Sequence, residues 1–330
     1  MRRRDFVKAT VVSAVAWPLA VRAQQPIHLR QIGLLIGYEE SNPQAKSWVA
    51  AFRESLAKLG WTEGQNVKFE DRWVGTDTNR IQQAGKELVA LQPDLIVAGS
   101  SPITLSILRQ TRTIPIVFVQ VIDPVAQGFV ESLSRPGGNA TGLVNLETSM
   151  TGKWLELLKE VMPSLARVAV PFNPAAAPYA DLYLNYFKSA APPLGIEIIG
   201  GAVSDFVAVD TFVAAQAREP NTGIIPMPSS FTSGNIGEMA AIMVRHRLPS
   251  LYVIRAFAEA GGLLSYGNNI EDNYRQAATF VDRILKGEKP SELPVQFPTK
   301  FELTVNLKTA KILGLRIPQQ LLAVADDVIE

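Results

Sequence analysis

Ile114 to Asn145 reads IPIVFVQVIDPVAQGFVESLSRPGGNATGLVN. After Pro115 comes a short apolar run, Ile116-Val117-Phe118-Val119, whose length and β-branched content argue a buried strand although periodicity alone does not exclude a helix. It ends at Asp123-Pro124, where the proline stops strand pairing and leaves a carboxylate at the C-terminal end. In open α/β sheets ligands bind just outside those ends. Arg135-Pro136-Gly137-Gly138-Asn139 is strong turn punctuation, and the chain resumes with Ala140-Thr141-Gly142-Leu143-Val144-Asn145. One lobe therefore ends here and the chain crosses into a second. The ligand is expected between the lobes, beside Asp123 and Asn145.

The chain has 330 residues, enough for two domains of roughly 100–200 residues each. Its 32 basic and 31 acidic residues are interspersed and leave a net charge of +1, which argues against nucleic acid or an anionic membrane as the main partner. It contains no cysteine, so disulfides, thiolate metal sites, a catalytic thiol and a lipidated cysteine are excluded. Two histidines leave little room for a histidine metal site, and no cofactor is implied.

Residues 1–23 read as a signal peptide. Arg2-Arg3-Arg4-Asp5-Phe6-Val7-Lys8 is a charged start, and Arg3 to Lys8 looks like a twin-arginine signal. The apolar run from Ala9 to Ala20 is only twelve residues, against about twenty for a span. Val21-Arg22-Ala23 supplies small residues where cleavage needs them, and Arg22 fits the twin-arginine route. The alternative is an N-terminal anchor. The expectation is an exported, soluble protein, periplasmic if the cell is Gram-negative.

Strand and helix then alternate. His28 to Gly37 reads as a strand; Asn42-Pro43 starts a helix with Trp48, Phe52, Leu56 and Leu59 in step. Asp94 to Gly99 is another strand, followed by Ser100-Ser101-Pro102, a helix start with serine caps. Such a start can hold a carboxylate, or Ser101 can simply cap its own helix. The second half repeats the rhythm: a helix through Trp154, Leu157, Leu158 and Val161, a strand ending at Asn173-Pro174, and a strand running into Pro228-Ser229-Ser230. Leu263 to Tyr266 is a strand, and Glu271 to Lys286 a helix. This pattern argues an α/β fold of two Rossmann-like lobes with parallel sheets. Polar loops after the strands, at Tyr38, Ser100, Asp123, Asn173, Ser229 and Tyr266, would then face one cleft.

No dinucleotide fingerprint, P-loop, zinc-protease motif or nucleophile elbow is present. His246 stands near a helix end between Arg245 and Arg247, a place for a solvent-facing side chain. A carboxylate pair such as Glu39 with Asp123 could serve glycoside acid–base chemistry, or hydrogen-bond a ligand.

Several segments resemble the ABC transporter substrate-binding family that includes tryptophan- and other aromatic-amino-acid-binding proteins. They are Ile122-Asp123-Pro124-Val125, Ser132 to Gly142, Trp154 to Lys159, Ser265 to Gly267 through Arg283 to Gly287, and Val305 to Lys311. The run Arg135-Pro136-Gly137-Gly138-Asn139 ending in Thr141-Gly142 is the most specific. The resemblance implies a type I periplasmic binding protein, with a hinge of three crossovers near Asn145, Gly267 and Pro290. One lobe is then expected at 24–144 plus about 268–290, the other at 145–267 plus about 291–330. It also implies that Ser101 and Asp123 line the cleft. Two positions depart from the amino-acid binders: Asn145 stands where they carry an acidic residue, and Pro228-Ser229-Ser230 where they carry Asp-Asn-Thr. A buried ammonium needs compensating charge, so a carboxylate-bearing or uncharged aromatic or amide compound fits as well as an amino acid.

The expected ligand contacts are Tyr38, Glu39, Ser100, Ser101 and Asp123 from the first lobe, with Asn145, Asn173, Ser229, Ser230 and Tyr266 closing from the second. The expected role is the binding component of an ABC importer, without catalysis, monomeric, handing a small molecule to an inner-membrane permease. The alternatives are a periplasmic sensor module and a two-lobe carboxylate-dependent hydrolase or transferase.

Overall fold

A computed structural model describes residues 29–145 and 150–330. The signal-peptide segment 1–23 lies outside the described residues. In chain order the elements are β1 (Arg30–Ile36), α1 (Pro43–Lys58), β2 (Val67–Trp73), α2 (Thr78–Ala90), β3 (Leu95–Ala98), α3 (Ser101–Gln110), β4 (Ile116–Val121), β5 (Ala140–Val144) and α4 (Met150–Val161). There follow β6 (Arg167–Phe172), α5 (Ala180–Ala190), β7 (Glu197–Ala202), α6 (Phe206–Gln216), β8 (Thr222–Ile224), α7 (Ser230–Gly234), α8 (Ile236–Arg245), β9 (Leu251–Tyr252) and α9 (Arg255–Glu259). The chain closes with β10 (Leu264–Asn268), α10 (Ile270–Leu285), β11 (Phe301–Asn306), α11 (Leu307–Leu313), α12 (Gln319–Val324) and β12 (Asp327–Ile329).

The first lobe is a parallel sheet ordered β2-β1-β3-β4-β5. Side chains alternate across a strand, so β1 serves both faces. Ile32, Leu34 and Ile36 pack with Trp48 and Phe52 of α1 and with Tyr274 of α10. Leu35 points the other way, into a layer with Leu88 of α2 and Ile103 of α3. Asn42 opens α1 as the sequence reads: its Oδ1 accepts from Ala45 N at 2.9 Å, with Pro43 in the first turn. Leu59, placed on the buried face by its spacing, instead lies at the helix end and is exposed.

In the second lobe β7, β6 and β8 are parallel, and an Ile224–Ser250 bridge leads on to the sheet β12-β11-β10-β9. Here the all-parallel expectation fails, because β10 and β11 are antiparallel, with Asn268 opposite Phe301. The reason is topological. The chain leaves this lobe at the C-terminal end of β10, builds α10 against the first lobe, and returns at the same edge, so β11 must run back.

The return lies later than expected. Residues 293–296 run along β5: Gln296 N donates to Gly142 O at 3.0 Å and Val144 N donates to Gln296 O at 2.9 Å. The first lobe thus keeps the chain through Gln296 rather than releasing it near Pro290. Two glycines sit where neighbouring backbone comes very close. Gly142 has φ +150°, and a Cβ there would overlap the Phe118 backbone; one at Gly267 would overlap the Val253 carbonyl. Only glycine lets these strands approach so closely. Among the described residues no helix is long and apolar enough to cross a membrane.

Candidate functional site between the lobes

The C-terminal strand edges of the two lobes face each other across a narrow cavity of about 20 Å³. That is room for about one water. The first-lobe wall is Tyr38, Ser100, Ser101, Pro102, Gln120 and Asn145; Asn145, expected from the second lobe, is held at the end of β5 in the first-lobe sheet by its N–H bond to Val121 O. The second-lobe wall is Ala176, Tyr179, Pro228, Ser229, Ser230 and Ser233.

On the first-lobe wall, β3 delivers Ser100 and Ser101 to the start of α3. The sequence suggests serine caps, but the Ser100 side chain makes no capping bond. Ser101 Oγ accepts instead from Ile122 N and from Gln127 Nε2, both at 3.2 Å. Both lone pairs are thereby occupied, and its own O–H is left to donate. Pro102 removes one N–H of the first turn, and no side chain satisfies the others. At the end of β5, Asn145 N donates to Val121 O at 2.8 Å, while its buried Oδ1 has no partner. Buried polar atoms are nearly always paired, so this oxygen marks a place for a donor.

Gln120 is not among the contacts expected from the sequence. Its one signal is an amide inside the apolar run of β4. It takes a left-handed φ of 58°, and its Oε1 accepts from Tyr38 O–H at 3.3 Å. Left-handed non-glycine residues gather at functional sites. Tyr38 is fixed by Trp48, edge to face at 5.3 Å, and Trp48 stacks on Tyr274 at 6.1 Å. On the second-lobe wall Tyr179 O–H donates to Pro228 O at 2.5 Å. Ser229 caps α7, accepting from Thr232 N at 3.3 Å. Ser233 shares a hydrogen bond of 3.0 Å with Tyr252. Burial pushes the Tyr38 and Tyr179 hydroxyls far above their ordinary range, and that of Tyr252 up to about 12. All three stay neutral donors at physiological pH.

The structure thus brings together Tyr38, Ser100, Ser101, Asn145, Ser229 and Ser230. It does not bring the other four expected contacts to this cavity. Glu39 sits in an adjoining pocket of about 390 Å³, its Oε1 2.8 Å from Arg80 Nη1. Asp123, at φ 42°, accepts from Ala126 N at 3.0 Å and, across the lobes, from Tyr186 O–H at 2.9 Å. Asn173 organises its own turn, accepting from Ala175 N at 2.9 Å and donating to Ser204 O at 2.8 Å. Tyr266 rests against Phe301 at 6.1 Å. A second inter-lobe bond runs from Asn42 Nδ2 to Gly234 O at 3.3 Å.

A larger groove of about 710 Å³ opens at one end of the cleft, between α2 and α3 and the loop at Pro174. Size favours it, but its lining is mainly apolar and none of the unpartnered buried polar atoms belongs to it. Convergent polar groups identify a binding site better than volume does, and they lie in the inner cleft.

Two α/β lobes with a polar cleft between their strand ends define a solute-binding architecture. The chain belongs to the ABC transporter substrate-binding protein family, whose model, described as "ABC transporter substrate binding protein", matches residues 41–329. A tyrosine-binding protein of Clostridioides difficile (strain R20291) is 23% identical over 265 residues, 80% of this chain and 76% of that protein. A conserved domain protein of Vibrio cholerae O1 biovar El Tor superposes with a TM-score of 0.84 at 27% identity, covering 91% of this chain and 99% of the other. An ABC domain from Streptococcus pneumonia in complex with L-Trp gives 0.83 at 23% identity, covering 91% and 100%. The fold is that of the type I periplasmic binding proteins.

Proposed function

We propose that this chain is the exported binding component of an ABC importer. It takes a small ligand between its lobes and presents the closed form to a permease in the inner membrane. Residues 1–23 direct export by the twin-arginine route, and the working protein is a periplasmic monomer. Tyr38 supplies an aromatic wall, Ser100 and Ser101 at the start of α3 meet a polar or anionic group, and Asn145 accepts from the ligand. Ser229 and Ser230 close from the other side. A ligand with more contacts in the closed arrangement than in the open one draws the lobes together. The aromatic ligands named for the two relatives above support a ligand of aromatic, amino-acid-like size.

One observation carries this reading: polar groups of both lobes converge on one buried cavity, and an acceptor there, Asn145 Oδ1, has no partner. A thermal-shift screen of the purified protein against amino acids, aromatic acids and amides tests it. A ligand at a hundred times its Kd stabilises by about 2.7 kcal/mol, a rise of a few degrees. Small-angle scattering on the same samples reads lobe closure. If no solute stabilises the protein or alters the lobe arrangement, the reading is wrong.

A further inference from the structure

We infer that the ligand of the inner cleft is an aromatic carboxylate without an ammonium group, not an amino acid; this rests on the binding reading above. The inner cleft is lined by hydroxyls, amides, two tyrosines and aliphatic side chains. Among the described residues that line it there is no Asp, Glu, Lys, Arg or His. Tyr38 and Tyr179 remain protonated at neutral pH, so no negative charge arises there by titration.

Two nearby carboxylates, Glu39 and Asp123, are engaged elsewhere. Glu39 lines the adjoining pocket and holds Arg80 with both oxygens, at 2.8 and 3.3 Å. Asp123 is bound by Ala126 N and Tyr186 O–H. Among the described lining residues an ammonium would meet only neutral oxygens, and a buried cation without a counter-charge is strongly disfavoured.

A carboxylate meets the opposite conditions. The ten-residue α3 points its N-terminus at the cleft without a side-chain cap, and such an end attracts anions. The Ser101 O–H stands ready to donate beside it, since its oxygen already accepts twice. The independent second mark is Asn145, 8% exposed, with an unpartnered Oδ1 in the same cavity. That oxygen calls for a neutral donor on the ligand, such as a phenol or an indole N–H. The Tyr38 and Tyr179 rings, with Ile122 and Ile270, supply flat apolar walls for the ring.

Calorimetric titration with matched pairs tests this. The pairs are L-tryptophan against indole-3-propionate, and L-tyrosine against 3-(4-hydroxyphenyl)propionate; each differs only by the amino group. The expected result is that the des-amino acid binds at least tenfold tighter, about 1.4 kcal/mol. Equal or tighter binding of the amino acid overturns the inference and leaves the transport reading standing. Failure of all four probes also overturns the ligand class, while the broader solute screen judges the transport reading separately. Asn145→Asp sharpens the test by adding one negative charge to the cleft. It is expected to move the preference at least tenfold toward the amino acid, and an unmoved ratio counts against the inference.

Discussion

The two walls of the cleft are both rich in hydroxyls and amides, yet they use them differently. On the first-lobe wall the groups are left open. Ser100 does not cap α3, the Ser101 O–H has no acceptor, and Asn145 Oδ1 has no donor. On the second-lobe wall they are turned inward. Ser229 caps α7, Tyr179 binds Pro228 O and Ser233 binds Tyr252. An open group recognises a ligand; a satisfied one holds its own loop in shape. On the proposed function the first lobe therefore selects the ligand and the second covers it. Binding energy and stability should separate along that line.

The most direct attempt to break this contrast is Ser101→Ala combined with Asn145→Ala. Each loss of a ligand hydrogen bond costs roughly 1.4 kcal/mol, so affinity for the best solute from the screen should fall about a hundredfold by calorimetry. A loss under threefold would remove the first lobe from recognition. The next effect is alkaline. Tyr38, Tyr179, Tyr183, Tyr252 and Tyr274 are all raised by burial. Their folded pKa values lie above the unfolded 10, so the stability they lend is complete below pH 10 and is lost as pH rises above it. The melting temperature should be flat from pH 7 to 9 and fall beyond pH 10; a fall beginning at pH 8 would contradict the burial of these hydroxyls.

Ser229→Ala should do what the first-lobe variants do not. Loss of the α7 cap costs about 1 kcal/mol of stability, read by denaturant titration, while ligand affinity changes less than threefold. A tenfold loss of affinity with unchanged stability would reverse the assignment of the two walls. The smallest effect is expected for Tyr186→Phe, which deletes the bond to Asp123 across the lobes. A net hydrogen bond of about 0.5–1 kcal/mol corresponds to a two- to fivefold shift toward the open arrangement, visible by scattering or by energy transfer between labelled lobes.

Much of the architecture was legible because it rests on local rules. The apolar run of β4, the Asn42-Pro43 helix start and the one-sided spacing of Trp154, Leu157, Leu158 and Val161 each carry their own signal. What escaped reading depends on distant partners. Nothing near Phe301 tells that the chain re-enters the second lobe at the edge where Asn268 left it, so the antiparallel pair was hidden. Ser100-Ser101-Pro102 looks like a capped start because composition does not reveal where a hydroxyl points, and Ser101 turned to Ile122 N. Asp123 and Glu39 had the right chemistry at the right strand ends, but Tyr186 and Arg80, far along the chain, drew them aside. Gln120 and Tyr179 enter the cavity through an unusual φ and a second-lobe helix start, features that spacing does not encode.

The late return of the chain, after Gln296, has a mechanical consequence. Among the described residues the polypeptide passes between the lobes after Asn268 and again between Gln296 and Phe301. These two tethers lie side by side, with Asn268 paired to Phe301, and so resist sliding while permitting a bend across them. A protease that nicks one of them leaves the other intact, so the severed chain would still travel as one particle until a denaturant pulls it apart.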